Sequence, residues 1–377
     1  MKIYKKQNVY DATQERLKYI FDSYQNVLVS FSGGKDSGVL LNLCYDYARS
    51  TNQLDKLAFY HLDYEAQYKY TTDYVTRTFE RFNDVRNFWL CLPVGANCGC
   101  SMETDRWIPW NPSEKQLWCR NYPDIENLIY ILNCPFDYDI GEQDYSVQEK
   151  FCEWFEKEYG STAILIGIRC DESLDRYNAI SNNGWITKTN KCFPIYDWKT
   201  EDIWTANAKF NYDYNNLYDL YYKAGLSLRD MRVANPFHTC GLDNLKLYSV
   251  IDPENWSKMI TRINGVNFGK QYGGTSAINL KNKPSHFTWK EYEEFLYSTL
   301  INNKQKLKIN EYINKWKTMG YDEDIPDEVN YFVDLKRNVP SYKKICKSIL
   351  SNDISCKQLG YNVDYKSSWD IVNNLKV

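Results

Sequence analysis

The strongest constraint on the fold is a strand, a short loop and a helix that follow one another between Asn26 and Tyr47. The apolar run Val27–Val29 predicts a buried strand, and helical spacing follows in Leu40, Leu43, Cys44 and Tyr47. Two glycines in Ser32-Gly-Gly-Lys-Asp-Ser37 allow positive φ and close approach of the backbone. The next helix directs its unpaired N–H groups and positive dipole end at this loop. The segment therefore predicts an anion site, and we expect a nucleotide phosphate there.

An alternation of strands and helices continues along the chain. Apolar runs at 57–62, 87–92 and 163–168 predict strands, and residues 65–82 and 147–159 have helical patterns. This order predicts an α/β fold, in which helices cover both faces of a twisted parallel sheet. Ligands of such sheets bind beyond the carboxyl ends of the strands, where the loop, Asp63 and Arg169 all fall.

Two regions depart from the alternation. Residues 95–145 form an insertion with Trp, Cys and Pro, and the chain beyond residue 240 has mainly helical patterns. We therefore predict a nucleotide-binding α/β domain over residues 1–240, which includes the insertion 95–145. A helical C-terminal extension is predicted over residues 241–377.

Composition narrows the class of protein. The net charge of −3 gives no global attraction to nucleic acid, although a local basic face stays open. The N-terminal residues lack the apolar stretch of a signal peptide, and no apolar run is long enough for a membrane span. We expect a cytoplasmic protein whose 12 cysteines are reduced.

The chemistry of the loop fits phosphate binding, although its spacing is not that of a Walker A motif. Lys35 can neutralise phosphate charge, and Asp36 can fix the loop or orient Mg²⁺. The other predicted contacts are the amides and hydroxyls of Phe31, Ser32, Gly33, Gly34 and Ser37. The alternative is a glycine-containing turn that only starts a helix.

Two further positions carry candidate functional groups. Asp63 can accept from a ribose hydroxyl or assist a metal, the alternative being a helix N-cap. In the segment Gly167–Arg176, the arginine forks of Arg169 and Arg176 match phosphate or sulfate geometry. The acids Asp171 and Glu172 can hold these forks or bind Mg²⁺, and the alternative is a structural salt-bridge network.

The loop resembles the PP-loop of the ATP pyrophosphatase superfamily, and Gly-x-Arg-x-Asp-Glu-Ser with Arg176 resembles the second signature of the phosphoadenosine-phosphosulfate reductase family. The segments Phe193–Trp204 and Asn215–Gly225 continue this similarity. The resemblance implies the adenine nucleotide alpha hydrolase-like fold and cleavage of ATP between its α- and β-phosphates. It also implies catalytic roles for Lys35, Asp36, Arg169 and Arg176, and Mg²⁺ held largely by the substrate.

One departure argues against reductase activity. Sulfonucleotide reductases of this family use a cysteine in a C-terminal Glu-Cys-Gly-[Ile/Leu]-His segment, and neither Cys346 nor Cys356 has this context. The segments Met231–His238, Asp252–Trp256 and Arg262–Gly269 resemble IbrA-type proteins of phages and mobile elements, which implies a ParB-like partner.

The insertion leaves several alternatives open. Cys98, Cys100, Cys119 and Cys134, with His238 and Cys240, are alternative ligands for zinc or an iron–sulfur cluster, but cysteines are commonly small buried residues. The tryptophans of the insertion, Trp107, Trp110 and Trp118, either form a local core or stack on a base. Lysines of the C-terminal region form a solvated surface or a contact with DNA.

The preferred function is Mg²⁺-dependent cleavage of ATP and transfer of AMP to an unidentified acceptor. A first alternative is sulfur transfer on a sulfonucleotide or nucleic acid, with a cysteine of the chain as carrier. A second is a regulator that senses a nucleotide without catalysis and acts with a ParB-like or DNA partner.

Overall fold

The computed structural model describes residues 6–100, 106–228, 230–233, 235–237, 245–263, 265–266, 283–319, 324–328 and 340–350, and residues 353, 354, 356 and 359, the side chains of 175 and 246 excepted. The chain divides into two compact units. Unit 1 contains residues 1–96, 108–236 and 247–262, and unit 2 contains residues 97–107, 237–246 and 263–377. The domain boundary predicted at residue 240 stays a prediction.

Unit 1 is built around a parallel sheet of six strands in the order β6-β3-β2-β1-β7-β8. The strands are β1 (Asn26–Ser30), β2 (Leu57–Leu62), β3 (Arg86–Cys91), β6 (Leu128–Tyr130), β7 (Thr162–Ile166) and β8 (Lys191–Cys192). The short strands β4 (Ala96–Asn97) and β5 (Arg106–Trp107) form a separate pair. In the large sheet β1 is central, with β2 on one side and β7 on the other.

Helices cover both faces of this sheet. The helices of the described chain up to residue 262 are α1 (Val9–Ser23), α2 (Lys35–Ser50), α3 (Lys69–Arg81), α4 (Asp144–Tyr159), α5 (Leu174–Asn183), α6 (Thr200–Phe210), α7 (Leu217–Lys223), α8 (Leu245–Ile251) and α9 (Pro253–Arg262). Val27 and Val29 of β1 pack in a core with α1, α2, α3 and α6. Leu28, between them, faces the opposite core with α4, as the period of two requires. The predicted α/β fold is confirmed.

The long predicted elements agree with the structure to within a few residues, whereas two short strands of the large sheet, β6 and β8, were not predicted. β6 lies inside the insertion and pairs with β3 through Trp89 and Leu128, and β8 pairs with β7 through Ile164 and Lys191. Both strands are at the sheet edges and are only two or three residues long. A run this short carries no periodic signal, so the sequence pattern alone could not reveal it.

A buried ion-pair network joins the insertion and α9 to the end of β2. Arg262 of α9 donates from Nε to Oε1 of Glu65 at 3.0 Å and from a terminal nitrogen to the Ile108 carbonyl at 2.7 Å. Glu65 also accepts the backbone N–H groups of Trp110 at 2.7 Å and Cys119 at 3.0 Å. A fourth hydrogen bond runs from a terminal nitrogen of Arg262 to Glu65 Oε2 at 3.3 Å. Because the Glu65 side chain is fully buried, these four hydrogen bonds are what makes its charge tolerable.

Unit 2 contains a helical core of its own. Its described helices include α10 (Trp289–Thr299), α11 (Asn303–Lys317) and α12 (Tyr342–Leu350). A capping box of Thr288 and Glu291 starts α10. Cys346 and Cys356 are buried in this core, and burial raises the pKa of the Cys346 thiol to about 12. None of the helices in the described ranges combines the length and apolarity that a membrane crossing requires.

Arg262→Ala tests the buried ion pair. The substitution leaves the Glu65 carboxylate buried and short of its cationic partner, so we expect a loss of about 3–5 kcal/mol in the free energy of unfolding, measured with urea. Arg77→Ala is the matched control, because Arg77 and Asp213 form a pair whose side chains are each 41% exposed. The control should change stability by no more than about 1 kcal/mol. Equal effects of the two substitutions would contradict the prediction.

Glu293 in α10 gives unit 2 a pH-dependent stability. Burial, followed by repulsion from Glu294 and Asp324, raises the pKa of Glu293 from 4.5 to about 7. The native state therefore keeps a proton that the unfolded state has lost, and stability falls as pH rises from about 4.5 to 7. Glu293→Gln should raise the melting temperature at pH 8 and have little effect at pH 4.5. Glu311→Gln, at an exposed site of α11, should show no such pH-dependent difference.

Candidate active site

The loop between β1 and α2 has the conformation that its glycines permit. Gly33 has φ +75°, and a Cβ there would lie 3.0 Å from Val75 and 3.1 Å from Thr71. A side chain at this position would therefore be strained by both its backbone and its neighbours. Gly34 follows as the N-cap of α2, with no side chain to close the helix terminus. The amides at the start of α2 are left for other partners.

Two serines of the loop hold its two ends together. The Ser37 hydroxyl accepts the Ser32 backbone N–H at 3.1 Å and lies 2.9 Å from the Ser32 hydroxyl. Ser37 also donates to the Gly34 carbonyl at 3.1 Å, and Ser32 Oγ accepts the Gly34 N–H at 3.3 Å. These contacts give both serines a role in fixing the loop. Their predicted contacts with a nucleotide stay predictions.

Asp36 brings two cations of the site together. Lys35 Nζ donates to Asp36 Oδ2 at 2.9 Å, and Arg169 Nε donates to Asp36 Oδ1 at 2.6 Å. The side chain of Arg169 is only 3% exposed, and its NH1 nitrogen is buried without a hydrogen-bond partner among the described residues. A buried guanidinium nitrogen without an acceptor is costly, so an anion at this point would complete its hydrogen bonding.

The segment Gly167–Arg176 lies against the loop. A Cβ on Gly167 would be 3.0 Å from the Ser37 nitrogen and 3.1 Å from the Asp36 carbonyl carbon, so glycine is what permits this approach. Glu172 accepts the Arg169 N–H at 3.3 Å and pairs with the Arg176 guanidinium. Arg176 is in the first turn of α5, whose N-cap is Ser173. Asp171 lies exposed beside them.

The two segments meet at the reversal of strand order in the sheet. From β1 the chain proceeds to β2 and β3 on one side, whereas β7 lies on the other side of β1. The loop follows the carboxyl end of β1, and Arg169 follows that of β7. In open α/β sheets this switch point is where ligands bind. The structure thus brings Lys35, Asp36, Arg169, Glu172 and Arg176 into one connected group.

Asp63 lies at the same edge of the sheet but is turned into the protein. Its carboxylate accepts Trp89 Nε1 at 2.7 Å and the Glu65 N–H at 2.8 Å, and it pairs with Arg120. Burial raises the pKa of Asp63, but Arg120 and the neighbouring His61 bring it below its ordinary value. The alternative of a helix N-cap is wrong, because Tyr68 is the N-cap of α3. A ribose contact of Asp63 stays a prediction.

Two residues that contact the loop have no role in the sequence prediction. Asn215 is fully buried and donates from Nδ2 to the Gly33 carbonyl at 3.1 Å and to the Thr71 hydroxyl at 2.9 Å. The Tyr218 hydroxyl accepts the backbone N–H of Lys35 at 3.0 Å. Both belong to the Asn215–Gly225 segment, and its tyrosines at helical spacing are the sequence pattern from which a helix beside the loop could have been predicted.

Phe31, a predicted loop contact, places its ring in the core beside Phe59 and Tyr74.

The structure bears on the alternative roles predicted for the tryptophans and cysteines of the insertion. Trp110 is fully buried and donates from Nε1 to the Asp63 carbonyl at 2.7 Å, which favours a core role for this residue. No group of three or more His, Cys, Asp or Glu that could hold a metal ion occurs within the described ranges. A hydrogen bond with Cys98, followed by burial, raises the pKa of the Cys100 thiol. His238 and Cys240 lie outside the described residues.

The protein YbdN of Escherichia coli (strain K12) is 32% identical to this chain over 378 residues, which cover 94% of this chain and 91% of YbdN. The chain belongs to the YbdN family. Residues 139–225 match the phosphoadenosine phosphosulfate reductase domain, and residues 225–321 and 319–368 match a domain of unknown function, DUF3440. The first match contains Arg169, Arg176 and Tyr218, and the second contains α9.

Other matches cover parts of the chain. A probable FAD synthase of Schizosaccharomyces pombe is 23% identical over 211 residues, which cover 54% of this chain and 60% of that protein. The structure of Candida glabrata FMN adenylyltransferase with FAD and inorganic pyrophosphate aligns at TM-score 0.35 and 16% identity, over 57% of this chain and 64% of that chain. The chain therefore spans less than two thirds of either protein. An NH3-dependent NAD synthetase of Campylobacter jejuni aligns at TM-score 0.32 and 12% identity, over 70% and 96%.

Gly167→Ala tests the contact between the two segments. The new Cβ meets backbone atoms of the loop, which cannot rotate away, so we expect a loss of about 1–3 kcal/mol in stability and a weaker ATP complex. Gly225→Ala is the control, since Gly225 has φ +85° but no neighbour within 4 Å of its hypothetical Cβ. It should lower stability and leave binding of a fluorescent ATP analogue unchanged. Retained nucleotide affinity in Gly167→Ala would contradict the prediction.

Proposed function

We propose that this protein cleaves ATP between its α- and β-phosphates in the presence of Mg²⁺ and transfers AMP to an acceptor. The observation that carries the proposal is the position of Lys35 and Arg169 on the two loops that flank the strand-order switch point. Both cations are held by Asp36, and Arg169 keeps a buried nitrogen without a partner. An anionic ligand is the chemistry that this arrangement accommodates.

In the proposed reaction each group has a separate role. Lys35 and Arg169 bind the departing pyrophosphate and stabilise the negative charge that develops on it. Arg176, which is 42% exposed at its side chain, stabilises charge at the rim where the acceptor enters. Both Asp36 oxygens bind these cations, so Asp36 orients them. Mg²⁺ would neutralise phosphate charge and would be held mainly by the phosphate oxygens. Asp171, two residues after Arg169, is an exposed carboxylate that would add a protein ligand.

The relatives support a nucleotide reaction of this class. The match to the phosphoadenosine phosphosulfate reductase domain covers the Gly167–Arg176 segment, and a probable FAD synthase is among the curated relatives. Membership of an IbrA-type subgroup, origin in a phage or mobile element, a ParB-like or nucleic-acid partner and a cytoplasmic location are further parts of the proposal. So is a division into residues 1–240 and a helical extension.

Product analysis with α-labelled ATP, Mg²⁺ and candidate acceptors tests the proposal. We expect labelled AMP attached to one acceptor and an equal amount of pyrophosphate. Lys35→Ala and Arg169→Ala should each lower kcat/KM at least 100-fold, because each removes charge stabilisation of the leaving group. The control Lys18→Ala removes an exposed lysine of α1 and should leave the rate unchanged.

Two outcomes would overturn the proposal. Release of ADP and orthophosphate as the only products would place cleavage at the other phosphoanhydride bond. Saturable ATP binding without release of pyrophosphate, even when a ParB-like or DNA partner is present, would favour the regulator that senses a nucleotide without catalysis.

Sulfur transfer is the second candidate, because one cysteine lies next to the site. Cys170 follows Arg169 directly and is partly exposed, whereas most described cysteines are buried. Its backbone N–H donates to the Tyr196 carbonyl at 2.8 Å, which fixes its position beyond the end of β7. Loss of turnover in Cys170→Ser with ATP binding retained would support a cysteine carrier. Unchanged turnover in this variant would exclude Cys170 as the carrier.

A further inference from the structure

Tyr218 occupies the place where an anion would meet the N-terminus of α2. Its hydroxyl accepts the backbone N–H of Lys35, the first residue of this helix, at 3.0 Å. A Cβ on Gly34 would lie 3.5 Å from the same oxygen. The first N–H of a helix has no partner within the helix and can bind a phosphate oxygen. In this loop the phenol has taken it.

The phenol oxygen of Tyr218 accepts a hydrogen bond in this contact, so its O–H can donate to another acceptor. Within the described ranges, no hydrogen bond from the Tyr218 O–H is present, and the Lys35 contact is the one that its oxygen makes. Tyrosine carries one donor in addition to its acceptor sites. Burial raises the pKa of Tyr218, so the phenol stays protonated at neutral pH.

The ring of Tyr218 is held in place. Tyr218 is only 3% exposed, and the centre of its ring lies 5.3 Å from that of Trp204. Asn215, three residues earlier, ties the same segment to the Gly33 carbonyl. Displacement of the phenol by a phosphate would therefore disturb a packed core. A phosphate in the loop would therefore meet the hydroxyl of Tyr218 before the Lys35 amide.

Lys35 and Arg169, which both bind Asp36, have further N–H groups that can donate to a ligand. Lys35 Nζ is 5.6 Å from the centre of the Tyr218 ring and uses one hydrogen bond on Asp36. Arg169, on the other oxygen of Asp36, has its NH1 nitrogen buried without a partner. The three donors are thus a cation on each side of Asp36 and a neutral phenol at the helix terminus.

We propose that Tyr218 is a phosphate-binding residue that donates its O–H to the pyrophosphate portion of the nucleotide. In this role the phenol, which accepts the Lys35 N–H at the positive end of the α2 dipole, replaces that amide as the donor to the ligand. The inference rests on the proposed function for the identity of the ligand. It adds a residue to the site and predicts which part of the nucleotide the residue contacts. No bond forms or breaks at Tyr218.

The test compares Tyr218→Phe with Tyr221→Phe by calorimetric titration of inorganic pyrophosphate and, separately, of adenosine. Tyr221 is one turn further along α7 and is also buried, but among the described residues it makes no hydrogen bond with the loop, so it is the matched control. Loss of a hydrogen bond to a charged group should weaken pyrophosphate binding about tenfold or more in Tyr218→Phe. Adenosine binding should be unchanged, and Tyr221→Phe should change either affinity less than twofold.

The result that overturns the inference is equally defined. If Tyr218→Phe binds pyrophosphate as tightly as the wild type or more tightly, the freed Lys35 amide is the better ligand and the phenol only blocks it. Should Tyr218→Phe not fold, 4-fluorophenylalanine at position 218 replaces it, since the fluorine fills the space of the hydroxyl without enlarging the side chain and has no proton to donate. The same loss of pyrophosphate affinity is expected.

The outcome separates this inference from the proposed function. A wild-type protein that binds pyrophosphate but transfers no AMP refutes the proposed reaction while the Tyr218 comparison still gives an answer. A wild type that binds neither pyrophosphate nor ATP refutes both.

Discussion

The candidate site depends on one carboxylate. Asp36, in the first turn of α2, takes Lys35 on one oxygen and Arg169 on the other, and Arg169 belongs to the segment after β7. The pairing therefore joins the two loops that flank the switch point of the sheet. Without Asp36, two like charges would face one another in a buried place, where repulsion is weakly screened. With it, both cations keep a fixed position and still have hydrogen-bond donors for a ligand.

Much of this could be predicted from sequence because strand β1, its loop and α2 are contiguous and strongly patterned. The order of strands and helices predicts the parallel sheet, and the rule on carboxyl ends predicts that the loop and Arg169 lie at the same edge of it. The pairing of Asp36 with Arg169 could not be predicted in the same way. It joins residues 133 positions apart, and no local pattern specifies which acid meets which arginine.

The roles of Asp63 and Tyr218 show where local pattern was insufficient. Asp63 follows a strand, as a ligand-binding acid would, but Arg120 and Trp89 from distant segments turn its carboxylate inward. Tyr218 looked like an ordinary helical aromatic residue, and only tertiary packing places its hydroxyl on the Lys35 amide. In both cases the side chain's partner decides its role, and the partner is far away in sequence.

The region that matches the domain of unknown function also contributes to unit 1. Residues 225–321 match DUF3440, and within them α9 supplies Arg262, which binds Glu65 two residues after Asp63. Glu65 in turn holds Trp110 and Cys119 of the insertion by their backbone N–H groups. The insertion and α9 are therefore both anchored on one buried acid at the edge of the sheet where ligands bind. Since removal of one partner leaves the other charge buried and unpaired, Arg262 of α9 contributes to the native arrangement of this edge.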